Sequence, residues 1–315
     1  MDIRESVENA DYLSFLNREF PNPKGRYPDI DRSISHLDKI SKQLLECARR
    51  IHGQAEDDKK QSALHINTRT ITAGNFRIRT ISLIKTFNDI MDARGDLIFD
   101  QGTANIIVRS LLESYLVYYR LYNGCKGNKN IQELYFNLYD LSSVLHYVKY
   151  ANSMLSSLKN KVDDDSLSKR IADLISRIKK TKEYQKLPTK IRDGVSKIEL
   201  GQQDYLSLIN FNRLIRESPL PTELITSYYS YASSFTHSEG FSADILQAYF
   251  ESRAQRKSIN DMLKFRLVYI CLAVSSQFFK SFNEYDSVEM QPEDNEMREA
   301  IWLSNYYHTA INHNQ

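Results

Sequence analysis

The chain has 315 residues, 41% hydrophobic and 26% charged, an ordinary globular balance that argues against long disordered stretches. Its 42 basic and 40 acidic side chains leave a net charge of +2, so no global field points to nucleic acid. Gly (10) and Pro (7) both fall near half of average usage, about 7% and about 5%, which disfavours turn-rich β architecture. The expected fold class is all-α, a multi-helix bundle.

Breakers and apolar spacing place the helices. No proline lies between Pro28 and Pro188, and no glycine between Gly127 and Gly194. A short helix over about 2–18 is ended by the Pro21, Pro23, Pro28 cluster. From Asp29 to about His52, Ile30, Ile34, Leu37, Ile40, Leu44 and Ile51 recur at helical spacing, and Gly53 closes the element. A helix over about 57–92, with a break near Gly74, precedes one over Gln101–Tyr122 that Asn123, Gly124 and Gly127 stop. Asn130 to about Leu158 follows. The acidic run Asp163–Asp165 then opens a helix carrying Ile171, Leu174, Ile175 and Ile178 on one stripe. Pro188–Gly201 reads as a connector with at most a short helix. Thr222–His237 has Thr222 as N-cap and Gly240 as its stop. The last long element, about 242–282, is apolar in its second half, and a final helix over about 293–309 holds Trp302.

The expected organisation is one α-helical domain over 1–315. N-terminal helices occupy 1–56, a core about 57–125 and 203–285, a protruding helical hairpin about 128–200, and a C-terminal helix 293–309.

Cys47, Cys125 and Cys271 are isolated, and three is an odd number for a disulfide framework, so a reducing compartment is expected. The N-terminus lacks a signal-peptide pattern. The longest apolar run, Leu267–Val274, is far short of the roughly 20 residues of a membrane span. A cytoplasmic protein without membrane contact is the expectation.

Two helices carry the chemistry. On Gln101–Tyr122, Val108, Leu112, Tyr115, Tyr119 and Tyr122 fall on one face, flanked by apolar residues nearly all round. Arg109 and Glu113 are therefore expected inside the core or at its rim, where charge is costly unless paired. On Thr222–His237, Leu224, Tyr228, Tyr231 and Phe235 form the apolar face. Beside it runs a stripe of Ser227, Ser230, Ser234 and His237. Small residues there permit close helix approach; alternatively, their hydroxyls line a polar cleft. His237 sits in the last turn, where the helix dipole favours an imidazolium.

The strings Arg109-Ser-Leu-Leu-Glu113-Ser-Tyr115 and Tyr228-Tyr-Ser-Tyr-Ala-Ser-Ser-Phe-Thr-His237-Ser238 resemble a family of uncharacterised bacterial helical proteins. That family is grouped loosely with the HEPN superfamily of antiparallel helical bundles, and the similarity spans roughly residues 65–250. The resemblance implies a HEPN-like core over the two core segments, RNA or a nucleotide as ligand, a homodimer, and a role in defence or stress response. Nuclease members of that superfamily place an Arg and a His four to six residues apart in a dimer cleft. Here the nearest arginine before His237 is Arg216, twenty-one residues away. Arg109 is the candidate to take its place.

No phosphate loop, nucleophile elbow or metal-ligand spacing is present, so neither cofactor nor metal is expected. Lys159–Lys197 holds 12 basic and 6 acidic side chains, a local charge of +6, with few aromatics among them. Three readings follow. In a metal-independent ribonuclease, Arg109 stabilises the transition state, His237 is general acid or base, and Glu113 and Tyr231 orient them. In a binding module, Tyr231, Ser234, Ser230 and Arg120 join Arg109 around an RNA, nucleotide or other anionic ligand. In a structural or partner-binding protein, Arg109, Glu113 and His237 are buried polar bolts. The binding module is preferred, because the nuclease spacing is missing while the polar constellation is present.

Overall fold

The computed structural model describes residues 30–58, 63–88, 90–91, 97–125, 127–153, 164–202, 210–236, 244, 247, 251 and 256–286. The helices expected over 2–18 and 293–309 lie outside these, as does His237. The chain divides into two compact units, one of Met1–Tyr118 with Ile215–Gln315, the other of Tyr119–Leu214. The all-α expectation holds, with one small exception among the described residues, a two-residue antiparallel ribbon.

The first unit contains α1 (Ile30–Asp58), α2 (Ala63–Thr86), and the ribbon strands β1 (Ile90–Met91) and β2 (Leu97–Ile98). The strands pair Ile90 with Ile98 and Met91 with Leu97. Most of α3 (Gln101–Tyr122) belongs here too. Leu37, Ile40, Leu44, Ala48 and Ile51 bury one face of α1, the face that helical spacing assigns to the core. That face packs on α2, and Arg77 of α2 ties the two by bonds to Asp38 Oδ1 (2.5 Å) and Ser41 Oγ (2.8 Å). Gly53 and Gly74 interrupt neither helix. A helical glycine costs only about 1 kcal/mol, and the burial of Ala48 and Ile51 before Gly53 and of Ala73 and Phe76 about Gly74 outweighs it.

The ribbon leads into α3, whose first turn is capped by Asp100, the Thr103 N–H donating to its Oδ1 at 3.0 Å. Later come α8 (Thr222–Thr236) and α9 (Arg256–Asp286), after α7 (Phe211–Glu217), a helix that sequence spacing does not suggest. Thr222 is the first helical residue rather than the cap; the Pro221 carbonyl accepts the Ile225 N–H at 2.9 Å. Proline is preset for that boundary.

Leu267–Ser276 are buried without exception, so α9 is the central helix of this unit. Its Phe278 ring meets Phe76 of α2 at 5.4 Å and Tyr115 and Tyr118 of α3 at 5.8 and 4.6 Å. Ile259–Ser281 is long and apolar enough to cross a membrane by length and composition, with 78% of its most apolar window buried in the protein, as a core helix is.

The second unit is built on α4 (Lys129–Ser153), α5 (Asp164–Lys180), a 3-10 turn (Tyr184–Lys186) and α6 (Thr189–Glu199). Leu134, Leu138 and Leu141 of α4 meet Leu174, Ile175 and Ile178 of α5, and Val195 and Ile198 of α6 close the cluster. The connector expected at 188–201 is thus a three-turn helix. Its Pro188 carbonyl accepts the Ile191 and Arg192 N–H groups, and buried Val195 and Ile198 anchor it. Gly201, at φ +68°, ends α6 in a Schellman arrangement, with Gln202 N–H on the Lys197 carbonyl at 2.8 Å and Gly201 N–H on Ile198 at 3.0 Å.

Candidate functional site

Within the first unit, α3 and α8 are joined by one polar cycle. Arg109 Nε donates to Glu113 Oε1 at 2.9 Å, the (i, i+4) pair of α3. The pair forms in the weaker of its two orientations, which on an exposed helix adds only a few tenths of a kcal/mol. Tyr229 of α8 supplies what the spacing on α3 alone does not. Its hydroxyl donates to the same Glu113 oxygen at 2.9 Å and accepts from an Arg109 terminal nitrogen at 3.1 Å. The guanidinium carbon also lies 4.7 Å from the Tyr229 ring centroid, a cation–π contact.

The cycle sits at the rim of the core. Side-chain exposure is 16% for Arg109 and 27% for Glu113, while Tyr229 is buried. Burial pulls the Arg109 pKa down, but the hydrogen bond to Glu113 and the charges around it prevail and hold it above the usual value. Burial, then the Glu113 carboxylate, pushes the Tyr229 phenol up to about 12 against the pull of Arg109. At neutral pH the Tyr229 phenol is therefore protonated, as its donation to Glu113 requires.

One step round α3, a second guanidinium arrives from α2. Arg79 donates to Ser114 Oγ and, at 3.4 Å, to the Ser110 carbonyl. Its hydrogen bonds thus go to a hydroxyl and a carbonyl, and no ion pair to a carboxylate is formed by Arg79 among the described residues. Two arginines therefore border the outward ridge of α3, and Arg109 is paired with Glu113. Ile106 lies on this ridge and is 44% exposed.

Tyr231, Ser234 and Arg120 have neighbours other than the cycle. Tyr231 is half-buried, its ring 5.2 Å from Phe235 and 5.3 Å from the Arg266 guanidinium of α9. Ser234 is buried and donates to the Tyr231 carbonyl of its own helix at 2.8 Å, while Ser230 is exposed. Arg120 belongs to the second unit, where its guanidinium lies 4.0 Å over the Tyr135 ring. His237 lies outside the described residues.

Sequence reasoning does not single out Tyr229 or Arg79. On the wheel of α8, Tyr229 falls one step off the apolar face that Tyr228 occupies, and nothing in α8 alone marks it as the partner of Glu113. A third feature is visible only in the fold. Gln101, Asn105, Arg109 and Glu113 form a polar column at four-residue intervals along α3. At its inner end both amide atoms of Gln101 and Oδ1 of Asn105 are buried without a hydrogen-bond partner. Among the described residues, no group of three or more His, Cys, Asp and Glu side chains is disposed to hold a metal ion.

No curated protein and no solved structure matches the chain. A family profile described as "Family of unknown function (DUF5677)" matches residues 76–256, more than half of the chain and the whole stretch from Arg79 through Tyr229. The chain belongs to that family of unknown function.

Proposed function

We propose that this protein is a helical binding module for an anionic ligand, RNA or a nucleotide phosphate, with Arg79 and Arg109 as its presenting cations. The observation that carries the reading is Arg79, a guanidinium beside the outward ridge of α3 that forms no ion pair among the described residues. Two half-buried guanidinium groups are each oriented by hydrogen bonds, Arg109 paired with Glu113 and Arg79 held by a hydroxyl and a carbonyl without an ion pair among the described residues. Held cations at a protein surface are how phosphate is recognised, because a preset guanidinium loses little entropy on binding. The resemblance of the strings around Arg109 and Tyr229 to helical proteins grouped loosely with the HEPN superfamily supports the same ligand class.

A second reading has its own observation. The Arg109–Glu113–Tyr229 cycle is closed, each member bonded to the other two, which suits a structural clamp between α3 and α8.

The test is anisotropy of a fluorescein-labelled single-stranded RNA titrated with wild type, Arg79→Ala, Arg109→Ala and Arg109→Lys across a salt series. The binding reading expects each loss of a phosphate contact to weaken binding and flatten the salt slope by about 0.7. Unlabelled ATP as competitor separates a nucleotide site from an RNA track. Unaltered RNA binding by Arg79→Ala and Arg109→Lys, with Arg109→Ala much less stable, leaves the clamp. Cleavage of the RNA by wild type alone makes the protein a ribonuclease.

A further inference from the structure

The second unit carries a groove that neither the polar cycle nor the family assignment explains. Its volume is about 520 Å³, and it runs along α5 with its far wall at the end of α6. The α5 residues that line it are Ser168, Ile171, Ala172, Ile175, Ser176, Lys179 and Lys180. This is an unbroken i, i+3, i+4, i+7, i+8, i+11, i+12 ridge. At 1.5 Å per residue it extends roughly 18 Å, a little over three helical turns. A straight ridge of that length beside a trough is the surface into which another helix packs its own side chains.

The floor is aliphatic. Ile175 and Ile198 are buried, Ile171 is half-buried and Ala172 is exposed, while Leu200, just past the wall, is 68% exposed. Among the described residues, no aromatic ring, on which nucleic-acid bases stack, lines it.

The rim is cationic. Three acids near the groove are paired: Glu199 with Lys179 across its end, Asp173 with Arg177, and Glu183 with Lys186, while Asp165 and Asp193 form no ion pair among the described residues. Lys169, Lys180, Lys182 and Lys197 likewise form no ion pair among the described residues and outnumber those two acids, which leaves the surroundings positive. A helix long enough to fill the trough meets apolar side chains below and ammonium groups at its flanks.

We propose that the α5–α6 groove of the second unit is a docking site for an acidic amphipathic helix of a partner protein. Apolar residues at i, i+3, i+4 and i+7 of that helix lie on Ile171, Ile175 and Ile198, and its Glu or Asp side chains pair with Lys180 and its neighbours. This inference is independent of the anion reading for α3.

Three labelled synthetic helices of about 16 residues, near three to four turns, serve as probes. One carries Leu on a single face and Glu elsewhere, one has Lys in place of Glu, and one scrambles the acidic sequence so that no apolar face remains. Each is titrated by anisotropy against the full chain and against Ala172→Glu and Lys180→Glu. Circular dichroism confirms that these surface substitutions leave the fold intact. Saturable binding of the acidic amphipathic helix, at least about tenfold tighter than either control and weakened tenfold or more by both substitutions, is the expected result. Equal binding of the scrambled peptide, tighter binding of the Lys peptide, or indifference to Ala172→Glu overturns the proposal. So does self-association in sedimentation that Ala172→Glu abolishes, because the occupant is then a second copy of this chain. Absence of binding by all three probes overturns it as well.

Discussion

Tyr229 and Glu113 meet across α8 and α3 through a 2.9 Å hydrogen bond in which the phenol donates to Oε1. The same oxygen accepts Arg109 Nε, so one carboxylate oxygen holds together residues 116 positions apart in sequence. Removing the hydroxyl leaves a partly buried charged pair short of a donor. Tyr229→Phe is expected to cost about 1.5–3 kcal/mol, the range for a hydrogen bond to a charged group. Urea unfolding checks it; a loss below a few tenths of a kcal/mol makes the cycle incidental.

The same phenol gives an alkaline signature. Its pKa rises from 10.0 to about 12 in the fold, so the folded state holds the proton more tightly than the unfolded chain. Stability from this group is complete below pH 10 and declines as pH rises towards 12. Tyr228, Tyr231 and Tyr269 are shifted up as well, so wild type and variant both lose stability there. The prediction is a shallower decline for Tyr229→Phe between pH 10 and 12, read from denaturation midpoints. Parallel curves contradict it.

Gln101 is 1% exposed, and neither of its amide atoms has a hydrogen-bond partner. Replacing an unsatisfied buried amide by an apolar side chain of similar length removes a desolvation penalty. Gln101→Met is therefore expected to stabilise the protein by about 1 kcal/mol, seen as a higher melting temperature. A destabilisation of similar size shows instead that the amide is paired in solution.

The serines of α8 separate by environment. Ser230 is exposed, and Ser234 donates its hydroxyl to a carbonyl of its own helix. Ser230→Ala should leave stability within about 0.5 kcal/mol, and Ser234→Ala should cost no more than about 1 kcal/mol. Neither is expected to alter RNA binding in the anisotropy assay. A tenfold loss from Ser230→Ala restores it to the binding surface.

Helix positions are legible in the sequence wherever one face is apolar. Gln101–Tyr122 has the same bounds in sequence and structure because Gly124 and Gly127 stop it, and Arg109 and Glu113 lie at the rim of the core as the wheel of α3 requires. α6 reads as a connector, because a Pro at its start and Gly194 within it resemble loop chemistry when the packing of Val195 and Ile198 is unseen. Tyr229 and Arg79 escape notice for a different reason. Their roles come from residues on other helices, and contacts between elements leave no periodic trace in one chain. Arg79 sits on α2, whose outward positions mix Ile71 and Ile78 with polar residues, so no clean stripe marks it.

The proposed anion site joins Arg79, which forms no ion pair among the described residues, to Arg109 of the Glu113 pair. It is tested most directly by titrating labelled single-stranded RNA, at low salt, with Glu113→Gln and Arg79→Ala beside wild type. The Glu113→Gln amide keeps the shape of the cycle and removes its negative charge, so affinity should rise roughly two- to fivefold, while Arg79→Ala lowers it by a similar factor. Shifts of opposite sign in folded variants are the result this account predicts. No change in either, or shifts of the same sign, would contradict it and leave the arginines as bolts of the fold.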